Sequence, residues 1–263
     1  MSLIPQLMSG RKLEHDLKFA SDGPISGLVE GVQSETLAAT STFVLKETTT
    51  ANEFQMKANT LSLDPGGASR SVNLPAAITD GPDLAGRRIV IRNASDQFNE
   101  NLTIYESDGT TFVAFVGFDQ CVEIFFTAQG KPFVVNDLFC AAGKDLAGDA
   151  VTLVPALGSA YISVPEYAVL IGDGCDQART WTLTAGGGTV AVSEAETLAS
   201  KAMVLQVGVN GTAAATQVMS ANSVISIDAD GDPATDAADG YLARVYFRVF
   251  KADVSTPALA ALS

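Results

Sequence analysis

From Ser41 to Phe250 the chain is written in short runs rich in Val, Ile, Phe and Thr, cut by clusters of Gly, Asp, Asn and Pro. β-Branched and aromatic side chains fit a pleated, half-buried surface, and the intervening residues supply turn geometry. That punctuation constrains the fold more than any other feature, because it leaves few stretches long enough for a helix. Strands are predicted over residues 88–93, 101–106, 111–116, 120–128 and 132–136. A second block is predicted over 151–154, 161–164, 167–171, 180–184, 189–192, 203–209, 223–228 and 241–250. Asp108-Gly109 marks a hairpin turn between two of the first set. In the last strand Val245, Phe247 and Val249 share one face, and Arg244, Tyr246 and Arg248 share the other. The arginine face is expected to be solvated or to meet another subunit. Seven of the 13 Phe lie between Phe112 and Phe139 and mark the centre of a core.

The expected fold is therefore all-β, with two antiparallel β-sandwich or barrel-like domains and an N-terminal extended arm. The divisions expected are an arm over 1–35, a first domain over 36–140, a linker over 141–150 and a second domain over 151–263. Within the arm a helical turn is expected near 12–19; a short helix is expected over 194–200. Ala141 to Asp149 is small and polar, which reads as the linker. No segment recurs at a fixed period of 20–50 residues, which argues against a propeller or solenoid.

At 263 residues, the chain is long enough to bury a full core without metals or disulfides. Lys+Arg number 16 against Asp+Glu 30, a formal charge of -14, so a nucleic-acid partner is not expected. Charged residues make up only 17%, below the roughly 25% of an ordinary soluble chain. The surplus of uncharged surface points to contact with other subunits. No apolar run approaches the length of a membrane span, and the first ten residues lack the pattern of a signal peptide. Cys121, Cys140 and Cys175 match no zinc or redox spacing and read as small buried hydrophobes, which fits assembly in a reducing cytoplasm.

Chemistry is sparse. The one histidine, His15, sits in the arm, where no rigid scaffold aligns it with a nucleophile. Gly186-Gly187-Gly188 lacks the Lys-Ser/Thr of a phosphate loop and reads as a tight turn. The sharpest local pattern is Asp228, Asp230, Asp232, Asp236 and Asp239. Acids at these spacings converge oxygens as hard calcium requires, although Pro233 replaces the usual turn glycine and strands flank the loop. The stretch reads either as a calcium loop or as an acidic, soluble hairpin loop. No enzymatic activity is expected.

One span has a recognisable order of motifs. It runs LSLDPGGASRSVNLPA over residues 61–76, GRRIVIRN over 86–93, then NLTIYESDGTTFVAFVG and VEIFFTAQGKPFVVN. This order resembles a β module found widely in structural proteins of tailed bacteriophages, notably capsid decoration proteins, head fibres and tail-fibre segments. The likeness covers about residues 40–137. Pro75 would end an edge strand, Asn93 and Asp108-Gly109 would set turns, and Gly130 would close the last hairpin. The module's final aromatic is usually Trp; here it is Phe133. The resemblance implies a non-enzymatic virion protein, most often a homotrimer, bound to the major capsid protein on the capsid exterior and made in the host cytoplasm. Arg11, Lys12 and Lys18 of the arm are the expected capsid contacts. The alternative it leaves open is a tail-fibre or baseplate subunit that binds a host surface.

Overall fold

The structure is a computed structural model that describes residues 29–45, 50–76, 84–145, 150–173, 179–195, 202–207, 219–230 and 240–252. It is all-β: the described residues form eighteen strands and no helix. The helical turn expected near 12–19 lies outside the described residues. So does most of the one expected over 194–200, of which residues 194 and 195 are described and are not helical.

Ten strands make the first unit: β1 (Val29–Thr36), β2 (Ser41–Val44), β3 (Glu53–Gln55), β4 (Ala58–Asp64), β5 (Arg70–Asn73), β6 (Arg88–Asn93), β7 (Leu102–Tyr105), β8 (Phe112–Val116), β9 (Cys121–Phe126) and β10 (Pro132–Val134). They form two sheets, ordered β1-β4-β6-β9-β10 and β3-β2-β5-β7-β8. The chain winds between the sheets, so β1, β4 and β6 pair in parallel on one side, as do β3, β2, β5 and β7 on the other. Only the closing strands β8, β9 and β10 pair antiparallel. The all-β, sandwich-like class is as expected, but within this unit most pairs are parallel where antiparallel ones were expected, and the strands wind as coils although no sequence period marks them. Partners in adjacent rungs are 28 residues apart at Val32 and Thr60, 30 at Thr60 and Val90, 31 at Ser41 and Val72, and 32 at Arg70 and Leu102. The period drifts because corner lengths differ. Inward alternation, carried by Leu61 and Leu63 and then by Ile89 and Ile91, holds the rungs in place without any repeated sequence.

Eight strands make the second unit: β11 (Phe139–Asp145), β12 (Val151–Val154), β13 (Tyr161–Asp173), β14 (Trp181–Ala185), β15 (Gly188–Val192), β16 (Ala202–Gln206), β17 (Ile225–Ala229) and β18 (Gly240–Lys251). Its sheets are ordered β11-β18-β13-β16 and β12-β17-β14-β15 and are antiparallel throughout. Val245 and Phe247 face Trp181, Leu183 and Ile227 in a dry interior, as the alternation of the last strand predicts. Residues 161–164 and 167–171, read as two strands, are one. A register shift between Pro165 and Tyr167 leaves Glu166 as the extra residue, beside the proline that has no N–H to give the ladder.

Of the expected linker, residues 141–145 are strand and 146–149 lie outside the described residues. Residues 139–145 form β11, paired along its length with β18. Its small residues are a packing requirement. A Cβ on Gly143 would lie 2.6 Å from Leu153 Cδ2, and Ala141 and Ala142 are buried.

The two units share one core. Phe112 packs edge-on against Phe139 at 5.5 Å, and Phe115 against Phe247 at 5.4 Å. The Phe112 N–H donates to Tyr161 Oη at 2.8 Å. Asn101, buried, donates from Nδ2 to Ala142 O at 3.1 Å and accepts from Ala142 N–H at 3.2 Å. Its amide thus does for the edge of β11 what a neighbouring strand would do, and leaves the buried edge satisfied.

The β7–β8 hairpin turns at Asp108-Gly109, with Gly109 at φ 68°. Asp108 Oδ2 accepts the Thr111 hydroxyl at 2.6 Å; Oδ1 accepts Thr111 N–H at 2.7 Å and Thr110 N–H at 2.8 Å. These bonds, the Thr111 hydroxyl first, hold the carboxyl down to about 2. A depressed carboxyl stabilises the fold above its unfolded value of about 4 and loses that contribution as pH falls through the folded value. We expect the Asp108 carboxyl carbon to titrate by NMR with a midpoint near 2, and the Thr111 amide to lose protection over the same interval. A midpoint near 4 would show the turn to be unmade in solution.

Candidate functional site

Arg11, Lys12, Lys18 and His15 lie outside the described residues, as do Cys175, Asp232, Asp236 and Asp239. Asp228 and Asp230 are described, at the end of β17. Both point to the outer side, since Ile227 and Ala229 point in. Asp230 closes a strand pairing: its N–H donates to Thr180 O at 2.8 Å and its Oδ1 accepts Thr180 N–H at 2.6 Å. Buried Arg179 donates from Nη1 to the Asp230 carbonyl at 3.0 Å. Among the described residues no three His, Cys, Asp or Glu gather as metal ligands. Gly186-Gly187 is a two-residue hairpin turn, with φ of 63° and 79°, between Ala185 and its partner Gly188.

Two features escaped the sequence. The first is a buried polar clasp at the corner after β6. Asn93 donates from Nδ2 to Glu100 O at 2.7 Å and to Val116 O at 3.2 Å, and its Oδ1 accepts Ser95 N–H at 3.0 Å. The Ser95 hydroxyl donates to the carboxylate of Glu100, which is 2% exposed. Asn93 was legible as a turn residue; that it points into the core and ties β6 to the end of β8 was not.

The second is a groove of about 490 Å³ where the units meet. Cys121, Val122 and Glu123 of β9 line one side, Cys140 and Tyr246 the other, and Phe115, Leu138 and Phe139 the floor. Burial raises the Cys140 thiol, partly offset by Arg244 and the Tyr246 hydroxyl, so it is protonated at neutral pH and packs as a small hydrophobe. Burial also raises the Tyr246 phenol, with Cys140 and Tyr167 adding to the effect. Both shifts run opposite to what activates a nucleophile or base. The groove has the chemistry of a contact surface: aromatic and aliphatic walls with Gln120, Glu123 and Asn136 at the rim.

No protein-family model matches the chain, and no curated protein matches it.

Proposed function

We propose that the protein is a virion structural protein of a tailed bacteriophage, a capsid decoration or head-fibre protein. It binds the outside of the shell as a homotrimer, contacts the major capsid protein and stabilises the particle by mass action, without chemistry. The observation that carries this reading is the order of motifs over residues 40–137. Two structural features support it. That span folds as a β-coil fused through a shared core to a second β unit, a stiff body suited to standing on a surface. The cavity at the seam offers apolar contact area rather than an activated side chain. In this reading Arg11, Lys12 and Lys18 meet the shell, and the acidity of the remainder keeps the ornament from adhering to DNA.

The test is gold-labelled antibody electron microscopy on intact virions, with antibody raised against residues 151–263. Label scattered over the head is the expected result. Label confined to the tail tip would replace this reading with host adhesion by a tail-fibre or baseplate subunit. Virions without label would remove the protein from the particle altogether.

A further inference from the structure

We propose that the surface running from the outer side of β9 and β10 across the junction groove onto the outer side of β18, β13 and β16, where exposed apolar side chains alternate with ion pairs, is the face by which copies of this chain associate. It stands on the surface alone: a face that meets its own like pairs copies two by two, an association separate from the homotrimer of the capsid-exterior reading.

Strand alternation builds the face. With Val245 and Phe247 turned in, Arg244, Tyr246 and Phe250 turn out. Opposite them on β13 stand Val169, Tyr167 and Ile162, and opposite Val169 on β16 stands Val204. Seven large apolar side chains are exposed among the described residues. Five lie on this surface: Phe133 at 46%, Val135 at 75%, Ile171 at 40%, Val204 at 56% and Phe250 at 49%. Exposed hydrophobes scattered evenly over a surface are ordinary, whereas their concentration on one side of the molecule marks an interface. The centre of the sheet part carries Tyr167 stacked on Tyr246 at 4.5 Å beside Arg244, residue types enriched where binding energy concentrates. At the other end Phe125 stacks on Phe133 at 5.7 Å. The groove joins the two ends, because β9 and β18 line it together.

Charge and area select a second copy as the occupant. The chain carries -14, so two copies repel over most of their surfaces. Here the charges balance. Arg88 pairs with Glu123 at 2.7 Å, Arg248 pairs with Asp137 and with Glu166, and Arg244 adds one further cation. This is a face on which two copies meet without that repulsion. A strand spacing of about 4.8 Å and a rise of about 3.4 Å per residue give the five strands a projected footprint of about 600 Å². Side-chain relief and the groove bring it to the scale of the roughly 800 Å² that each partner gives a stable specific interface.

The experiment is sedimentation equilibrium of the full-length purified protein at about 100 μM, well above a micromolar dissociation constant. The unmodified chain is expected to be oligomeric. Val204→Glu is expected to weaken association by about 30-fold or more, the size of a hot-spot loss. Thr189→Glu, exposed on the other sheet of the second unit, is expected to leave it unchanged. Circular dichroism melts of all three proteins show whether each is folded. If V204E fails to fold, Val204→Ser replaces it, and the expected result is weaker association with an unchanged melt. A monomeric unmodified chain would overturn the proposal, as would a folded V204E that associates normally. Loss of particle binding by a V204E whose parent is monomeric would give the face to the shell protein instead. Because the purified protein is used, failure here is separable from failure of the virion reading, which is read on particles.

Discussion

Replacing Asn93 with alanine is expected to lower the free energy of unfolding by about 4 kcal/mol. The side chain is fully buried and makes three hydrogen bonds to backbone groups. Alanine removes all three and leaves the carbonyls of Glu100 and Val116 and the N–H of Ser95 without those partners, in a space that Glu100 already makes polar. Each buried group left unmet costs about 1–3 kcal/mol, and the cavity adds to that. Against a total of about 5–15 kcal/mol, the loss is large. Denaturant unfolding read by circular dichroism measures it. Arg92→Ala next door is the control: its ion pair with Asp119 is exposed on both sides, and its loss is expected to cost no more than about 1 kcal/mol. A loss under about 1 kcal/mol for N93A would mean that the corner is held by something other than the clasp.

The contrast between these neighbours bears on what a sequence displays. Alternation along residues 88–93 announces the strand and its buried face, because a pleated strand with one dry side must alternate. Bounds at 88–93 and 151–154 agree with the observed β6 and β12. The parallel winding of the first unit is a different matter. A parallel pair is made by partners some thirty residues apart, and nothing local at Thr60 or Val90 specifies the other. A linker of small residues and a strand of small residues also read alike: β11 is distinguishable only once Leu153 and Val151 are seen to occupy the space a larger side chain at Gly143 would take. For the candidate surface, the outward Arg244, Tyr246 and Arg248 were legible from one strand. The groove was not, since it exists only where β9 comes to lie beside β18. Of the five aspartates in the acidic loop, two have a described structure, and Asp230 spends its carboxylate on Thr180.

The seam yields the other large effect. Gly117, in the turn between β8 and β9, touches the backbone of β11 so closely that a Cβ there would sit 2.3 Å from Cys140 O and 3.1 Å from its carbonyl carbon. The obstacle is backbone on both sides, so no rotamer relieves it. Gly117→Ala is expected to force the two units apart locally and to cost about 3 kcal/mol, at the upper end of overpacking effects. The bonds nearest the displaced strand, between Asn101 and Ala142, would lengthen with it. The single tryptophan makes the consequence visible. Trp181 is buried in the second unit, so its fluorescence follows that unit, while circular dichroism follows both. The unmodified chain, with one shared core, is expected to show coincident transitions by the two probes. In Gly117→Ala they are expected to separate, the circular dichroism midpoint falling below that of Trp181. Gly187→Ala supplies the comparison. Gly187 sits at positive φ, 79°, but a Cβ there meets nothing within 4 Å, so its cost is backbone strain of about 1 kcal/mol with the transitions still coincident. Superimposable melts for Gly117→Ala and the unmodified chain would refute the close seam. Separated transitions already present in the unmodified chain would refute the single core, and with it the stiff body on which a role as a surface ornament depends.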